Sequence, residues 1–408
     1  MTVNFLSFNT VQNHVTNRQN KPNNQQPSFG ITKELREAVL AVRKATKDYG
    51  HNNLDMLPEK YFKQLLKGTV FESFSKENLS RFFEIDLLPL MRGCKNGCGH
   101  CMVKAVPFKE KPGVINSMSW EDFSALTLSL EKIRVRTNNA INFRFKRKAI
   151  YPYFNNGPIP SNMLDEKGHV HNIVQAGKRF YKRTGIPFHI TNAGWDLTEI
   201  EAQKAAEELR NTILKNPNTF DNVDVSIHPF HNYMMQSINY AKHGKTTESR
   251  ALREKYVNRT ANSLKTFLPL DNKGKLYINL LHAPELEKNT GYRKSETLAL
   301  LNEISDKLYE LVQKENNPLY SEFKSLTKDQ LSEKITEISG NSNTLQPWGR
   351  AKRFFKEGTL PNDFIYNGLD VNGELFEYSN EKKFKHLGIF LNFENKNKKP
   401  INCEKACN

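Results

Sequence analysis

Residues 82–101 read FFEIDLLPLMRGCKNGCGHC, and the two halves of that stretch carry different signals. The first half, 82–90, is an apolar run that reads as a β-strand. The second half follows without a break and carries Cys94, Cys98 and Cys101 in a C-x3-C-x2-C spacing. Soft thiolates gathered on one loop select Zn, Cu(I) or an iron–sulfur cluster. Gly93, Gly97 and Gly99 let the backbone wrap closely around such a group. Three thiolates suit a 4Fe–4S cluster with one iron left open to a further ligand. Two other readings compete: structural zinc with His100 or a distant group as fourth ligand, and a disulfide with a spare thiol.

Beyond the loop, strand and helix signals alternate. Ser119-Trp120-Glu121-Asp122 reads as a helix start, with Phe123, Leu126, Leu130 and Ile133 following at helical spacing. A strand is expected at 149–154, followed by the turn Asn155-Asn156-Gly157-Pro158. Helices are expected at 170–183, 198–214 and about 247–266, and strands at 187–191, 223–228 and 275–281. A last helix carries Leu298, Leu301, Ile304, Leu308 and Leu311. This alternation predicts an α/β fold whose parallel sheet closes, wholly or partly, into a TIM-like (β/α) barrel. In such folds chemistry sits at the C-terminal ends of the strands. The cysteine loop, the Asn-Asn-Gly-Pro turn, the Asn192–Asp196 loop and the His228–Tyr233 loop all fall there. Several of these residues also have plain structural readings. Asp196 reads first as a helix N-cap. His189 and His231 can be satisfied interior imidazoles as readily as pocket groups.

A C-x3-C-x2-C loop after the first strand of a (βα) barrel resembles the radical S-adenosylmethionine (SAM) superfamily, over about residues 82–290. Phe154–Pro158 stands where that family has a Gly-Gly-Glu-Pro-like turn that meets the SAM amino group. Here two Asn and one Gly replace Gly-Gly-Glu, and their oxygens can accept hydrogen bonds from an ammonium. His100 takes a place where the family often has an aromatic residue. Thr191-Asn192-Ala193-Gly194 resembles the family's T-N-G segment. Ser226-Ile227-His228 matches the position where polar groups meet the SAM ribose. The resemblance thus implies Cys94, Cys98 and Cys101 as cluster ligands. It implies Asn155, Asn156, Gly157, Thr191, Asn192, Ser226 and His228 as SAM contacts. It further implies that SAM chelates the open iron and that a flavodoxin- or ferredoxin-type partner supplies one electron. The carbon–sulfur bond of SAM then breaks, and the resulting 5′-deoxyadenosyl radical takes hydrogen from a substrate.

Downstream, Pro347–Ala351 and the Leu369–Phe376 and Leu387-Gly388 segments resemble the frame of a SPASM-type extension without its cysteines. Cys403 and Cys407 read as tail thiols. The chain divides into a disordered segment (1–30), an N-terminal helical extension (31–80), a radical SAM barrel (81–314) and a C-terminal extension (315–408). The last reads as a β-containing, substrate-capping unit, separable from the barrel. Helices are expected at 32–48 and 58–67. The SPASM-like frame implies a peptide or protein substrate. RNA or nucleotide modification is the alternative, and a non-catalytic iron–sulfur or zinc module is the contrasting class.

Composition bounds these readings. The chain has 408 residues, with 60 Lys and Arg against 44 Asp and Glu, a net charge of +16. The mean hydropathy is −0.66, yet 26 Phe and 14 Tyr can fill a core, which excludes a wholly disordered chain. No apolar run reaches the ~18–20 residues needed to span a bilayer. The N-terminus has no secretory pattern. Five cysteines, an odd and small number, fit a reducing, cytoplasmic setting. The basic residues are dispersed, and the densest run is Arg144, Lys146, Arg147 and Lys148.

Overall fold

Side-chain acceptors mark where helices begin. Helices α1 (Lys33–Ala45), α2 (Glu59–Leu66), α3 (Lys76–Phe83) and α4 (Trp120–Arg136) form the first part of the fold. The Ser75 and Ser119 hydroxyls accept the backbone N–H of Asn78 and Asp122 at the starts of α3 and α4. The computed structural model describes residues 31–45, 54–91, 117–137, 148–152, 162–192, 200–282, 294–339, 341–344, 365–379 and 383–393.

The architecture is mixed α/β. Strands β1 (Asn162–Leu164) and β2 (Val170–Asn172) make a short antiparallel hairpin. Strands β3 (Phe188–Asn192), β4 (Phe220–Ile227), β5 (Leu276–His282) and β6 (Asn341–Thr344) lie side by side in that order, all parallel. The ladder continues beyond β3 through single bridges. Ile150 pairs in parallel with Phe188, and Leu87 pairs in parallel with Tyr151. The His189 N–H donates to the Ile150 carbonyl at 2.9 Å, and the Leu88 N–H donates to Tyr151 at 2.8 Å. Extended segments at 85–91 and 148–152 therefore precede the four strands in chain order. Helices α5 (Ile173–Thr184), α6 (Ile200–Lys215), α7 (Asn232–Lys242), α8 (Thr246–Phe267), α9 (Lys294–Gln313), α10 (Ser321–Lys324) and α11 (Lys328–Ile338) fill the connections. Among the described residues no pairing closes the sheet into a barrel.

Three expectations change. Phe82 and Phe83 belong to the last turn of α3 rather than to a strand. Leu79, Phe82 and Phe83 share one buried helix face, and Phe71 packs edge-on against Phe82 at 4.7 Å. The extended run starts only at Ile85. The helix expected from 170 begins at Ile173, because 170–172 pairs as β2; Asn172 closes that start with a capping box to Gln175. Residues 315–348, polar and poorly periodic in sequence, hold α10, α11 and β6 among the described residues. A Thr327–Gln330 capping box opens α11, and β6 carries the sheet past residue 314.

The tail packs against the first extended segment. Strands β7 (Ile365–Leu369), β8 (Glu374–Ser379) and β9 (Lys383–Phe390) form an antiparallel sheet. Gly368 bridges in parallel to Leu87. The Asp86 and Leu87 N–H groups donate to the Asn367 carbonyl, and the Leu369 N–H donates to Leu87. Leu369, Leu375, Leu391 and Phe393 join the same apolar core as Leu88 and Phe123. The tail thus flanks the first extended segment along its edge, where a capping unit would sit over the strand ends. At Gly368 a Cβ would run into the Phe376 ring and approach the Leu87 carbonyl at 3.0 Å. Gly368→Ala should therefore cost about 1–3 kcal/mol. A melting curve unchanged from wild type would contradict this close approach.

Candidate functional site

Alternation gives the parallel sheet two faces. Phe188, Ile190, Val223, Val225, Ile227 and Ile278 lie buried on one, in the main core. His189, Asp224 and Asn279 lie on the other. The register shifts between Phe188 and Ile190, which pair with Phe220 and Val223. That extra residue in β4 lets Phe220 and Val223 both stay in the core while Asp221 and Asp224 both reach His189. His189 Nδ1 lies 2.9 Å from Asp221 and Nε2 lies 3.0 Å from Asp224. The Asn279 amide donates to the same Asp224 oxygen at 3.0 Å. One polar chain thus links β3, β4 and β5. The Tyr151 ring packs against His189 at 4.8 Å.

Burial alone would lower the His189 pKa, but hydrogen bonds to Asp221 and Asp224 and their charges outweigh it and raise it to about 9. The bond from His189 in turn holds the Asp221 carboxyl below its ordinary value, against the effect of burial. His189 is therefore a fixed imidazolium at neutral pH, with both nitrogens occupied.

A second imidazole group follows β4. The His228 N–H donates to the Tyr256 hydroxyl at 3.1 Å, and the His228 side chain is fully buried. His231 caps α7, its Nδ1 accepting the Tyr233 N–H at 3.3 Å. Burial pushes the His231 pKa down to about 4, so this ring is neutral. With Nδ1 as acceptor, Nε2 carries the proton.

The expected site residues fall in different places. Cys94, Cys98 and Cys101, with Asn155, Asn156 and Gly157, lie outside the described residues, as do Asp196, Cys403 and Cys407. In sequence the cysteine loop starts one residue after Met91, the end of the first extended segment. Thr191 pairs with Asp224 in register and shares its polar face. Ser226 pairs with Asn279 on that face and is 7% exposed. Asn192 is turned the other way. It pairs with Val225, and its side chain accepts from Ser263 of α8 at 3.4 Å. Asp221, Asp224 and Asn279 were not singled out from the sequence; the polar residues alternating with Val223, Val225 and Ile278 were the available signal.

A cleft of about 800 Å³ lies among α6, α8 and residues 315–320, lined by Arg210, Lys255, Arg259 and Glu315 among others. It belongs to the helix layer and not to the polar sheet face. Among the described residues no helix is long and apolar enough to cross a membrane. No family model, curated protein or solved structure matches this chain.

The two histidines predict opposite pH limbs. His189 binds a proton more tightly when folded, so its stabilisation is full below pH 6.5 and is lost as pH rises towards 9. His231 binds a proton less tightly when folded, so stability falls as pH drops from 6.5 towards 4. Each limb has a slope of up to about 1.4 kcal/mol per pH unit. His189→Gln should flatten the alkaline limb, and His231→Asn, which keeps a capping oxygen, should flatten the acid one. Denaturant melts from pH 4 to 9 in which neither variant alters its limb would contradict these assignments.

Proposed function

We propose that the chain is a radical SAM enzyme in which Cys94, Cys98 and Cys101 hold a 4Fe–4S cluster. One observation carries the reading: the C-x3-C-x2-C loop begins directly after Met91, at the C-terminal end of the first of six extended segments that run parallel in chain order. That order, with helices between successive members, supports a partial (β/α) barrel whose strand ends gather on one edge. The donor set fits the cluster, because three soft thiolates on a glycine-rich loop leave one iron open. Cys94, Cys98 and Cys101 would hold the cluster, and SAM bound there would release methionine on taking one electron from a flavodoxin- or ferredoxin-type donor through it, supplying radical chemistry for hydrogen abstraction.

The chain's own residues bind and orient. Asn155, Asn156 and Gly157 would offer oxygens to the SAM amino group. Ser226, on the polar face, would offer its hydroxyl to the ribose, and Thr191 on the same face would offer another to SAM. His228, fully buried and bonded through its backbone to Tyr256, would support the end of β4 from within. His189, Asp221, Asp224 and Asn279 form a fixed floor whose charges are already paired. Asn192, turned towards α8, supports the strand end from behind.

A peptide or protein is the substrate class in this reading, because the tail resembles a SPASM frame. RNA is the second reading, favoured by the charge of +16 and the Arg144–Lys148 run; turnover on RNA would fall steeply with salt. The test is 5′-deoxyadenosine formation under dithionite. The reconstituted wild type should form it, and Cys94→Ala, Cys98→Ala and Cys101→Ala should each fall to background. A triple Ala variant that still takes up about four irons would overturn the ligand assignment.

Asn155→Ala and Asn156→Ala should each lose about 1.5–3 kcal/mol of SAM binding, roughly 10- to 150-fold in affinity. Wild-type affinity in both, by calorimetric titration, would remove this turn from the site.

A further inference from the structure

The C-terminal sheet brings together a nitrogen and two carboxylates that the function above does not use. Asp370, just after β7, is 2% exposed. Its Oδ1 accepts the N–H groups of Asn372 and Glu374 at 2.8 and 2.9 Å. Gly373, at φ +80, makes the turn that returns the chain into β8. Glu374 opens β8. Its Oε1 accepts the Gly388 N–H at 3.1 Å, and its Oε2 lies 2.7 Å from His386 Nδ1 on β9. One ligand atom from each of Asp370, Glu374 and His386 lies within 4.8 Å of the other two.

We infer that Asp370, Glu374 and His386 form a binding site for a divalent first-row cation such as Mn²⁺, Fe²⁺ or Zn²⁺. One imidazole nitrogen with two carboxylate oxygens is a mixed N/O donor set, which suits such ions and not Cu(I). Metal–ligand distances of about 2.0–2.2 Å put neighbouring ligand atoms roughly 3 Å apart, so the set closes with side-chain shifts under about 1 Å. Backbone N–H groups already orient both carboxylates, as outer-shell donors do around metal ligands. Two carboxylates balance a dication, and an imidazole ligand adds a nitrogen without adding charge. The bound ion would tie the β7–β8 turn to β8 and β9. That sheet is hydrogen-bonded to Asp86 and Leu87, in the segment that leads into the cysteine loop. The site is independent of the radical SAM reading.

The test is Mn²⁺ titrated into the full chain, with free ion read by its EPR signal. This hard ion avoids the thiolate loop. The wild type should take up one Mn²⁺ per chain more than His386→Ala and Glu374→Gln, or bind it at least about tenfold more tightly. His386 is half-exposed, so its removal should leave the metal-free protein folded. In wild type labelled at histidine, Mn²⁺ should also broaden the His386 imidazole signal first. Equal uptake by wild type and both variants would overturn the site, as would an unbroadened His386 signal at saturating Mn²⁺.

Discussion

The His189 imidazolium, held between Asp221 and Asp224, is the interaction on which the arrangement of the sheet depends. A buried charge is costly unless it is paired and hydrogen-bonded, and removing one partner costs more than the pair contributes. Here both ring nitrogens are occupied and Asn279 takes up a further carboxylate lone pair. The pairing is possible only because β4 carries one extra residue between Phe220 and Val223. Three strands are thereby fixed in register from their polar face, while Val223, Val225 and Ile278 fix them from the apolar one. Lys275 lies against the same corner, donating to the Asp221 carbonyl at 2.7 Å.

What the sequence discloses follows from periodicity. Long helices with regular apolar spacing are legible to within a few residues, and so are strands whose apolar residues alternate, such as 187–191 and 275–281. Phe82-Phe83 is ambiguous, because a short apolar run fits either period; the Ser75 cap and the Leu79 contact face decide for the helix. The elements of 321–344 are short, and β6 is Asn- and Ser-rich, so periodicity finds little there; the Thr327-x-x-Gln330 capping box is the one readable mark. The register shift at Asp221 is a property of strand pairing and has no signature within β4 alone. The face taken by Asn192 likewise follows from its pairing with Val225.

The same geometry separates the duties of the candidate site. In the proposed reading, thiol chemistry would belong to the loop that follows Met91 in sequence. Thr191 and Ser226 share the polar face near the strand ends, where the proposed reading would use their hydroxyls for recognition. Charge is held on the polar face of the sheet by a network already internally paired. The tail contributes from the side: its backbone completes the edge at Asp86 and Leu87, and its apolar residues complete the core. Loss of the tail would therefore reach the cysteine loop through the strand that carries it.

EPR spectroscopy of the anaerobically reconstituted, dithionite-reduced chain, recorded with and without SAM, tests the central claim most directly. The account predicts the signal of one reduced 4Fe–4S cluster per chain, and a change in its g-values on adding SAM as the open iron gains a ligand. A reduced cluster whose spectrum is indifferent to saturating SAM would contradict it, as would a chain that binds one zinc and no iron at these thiolates.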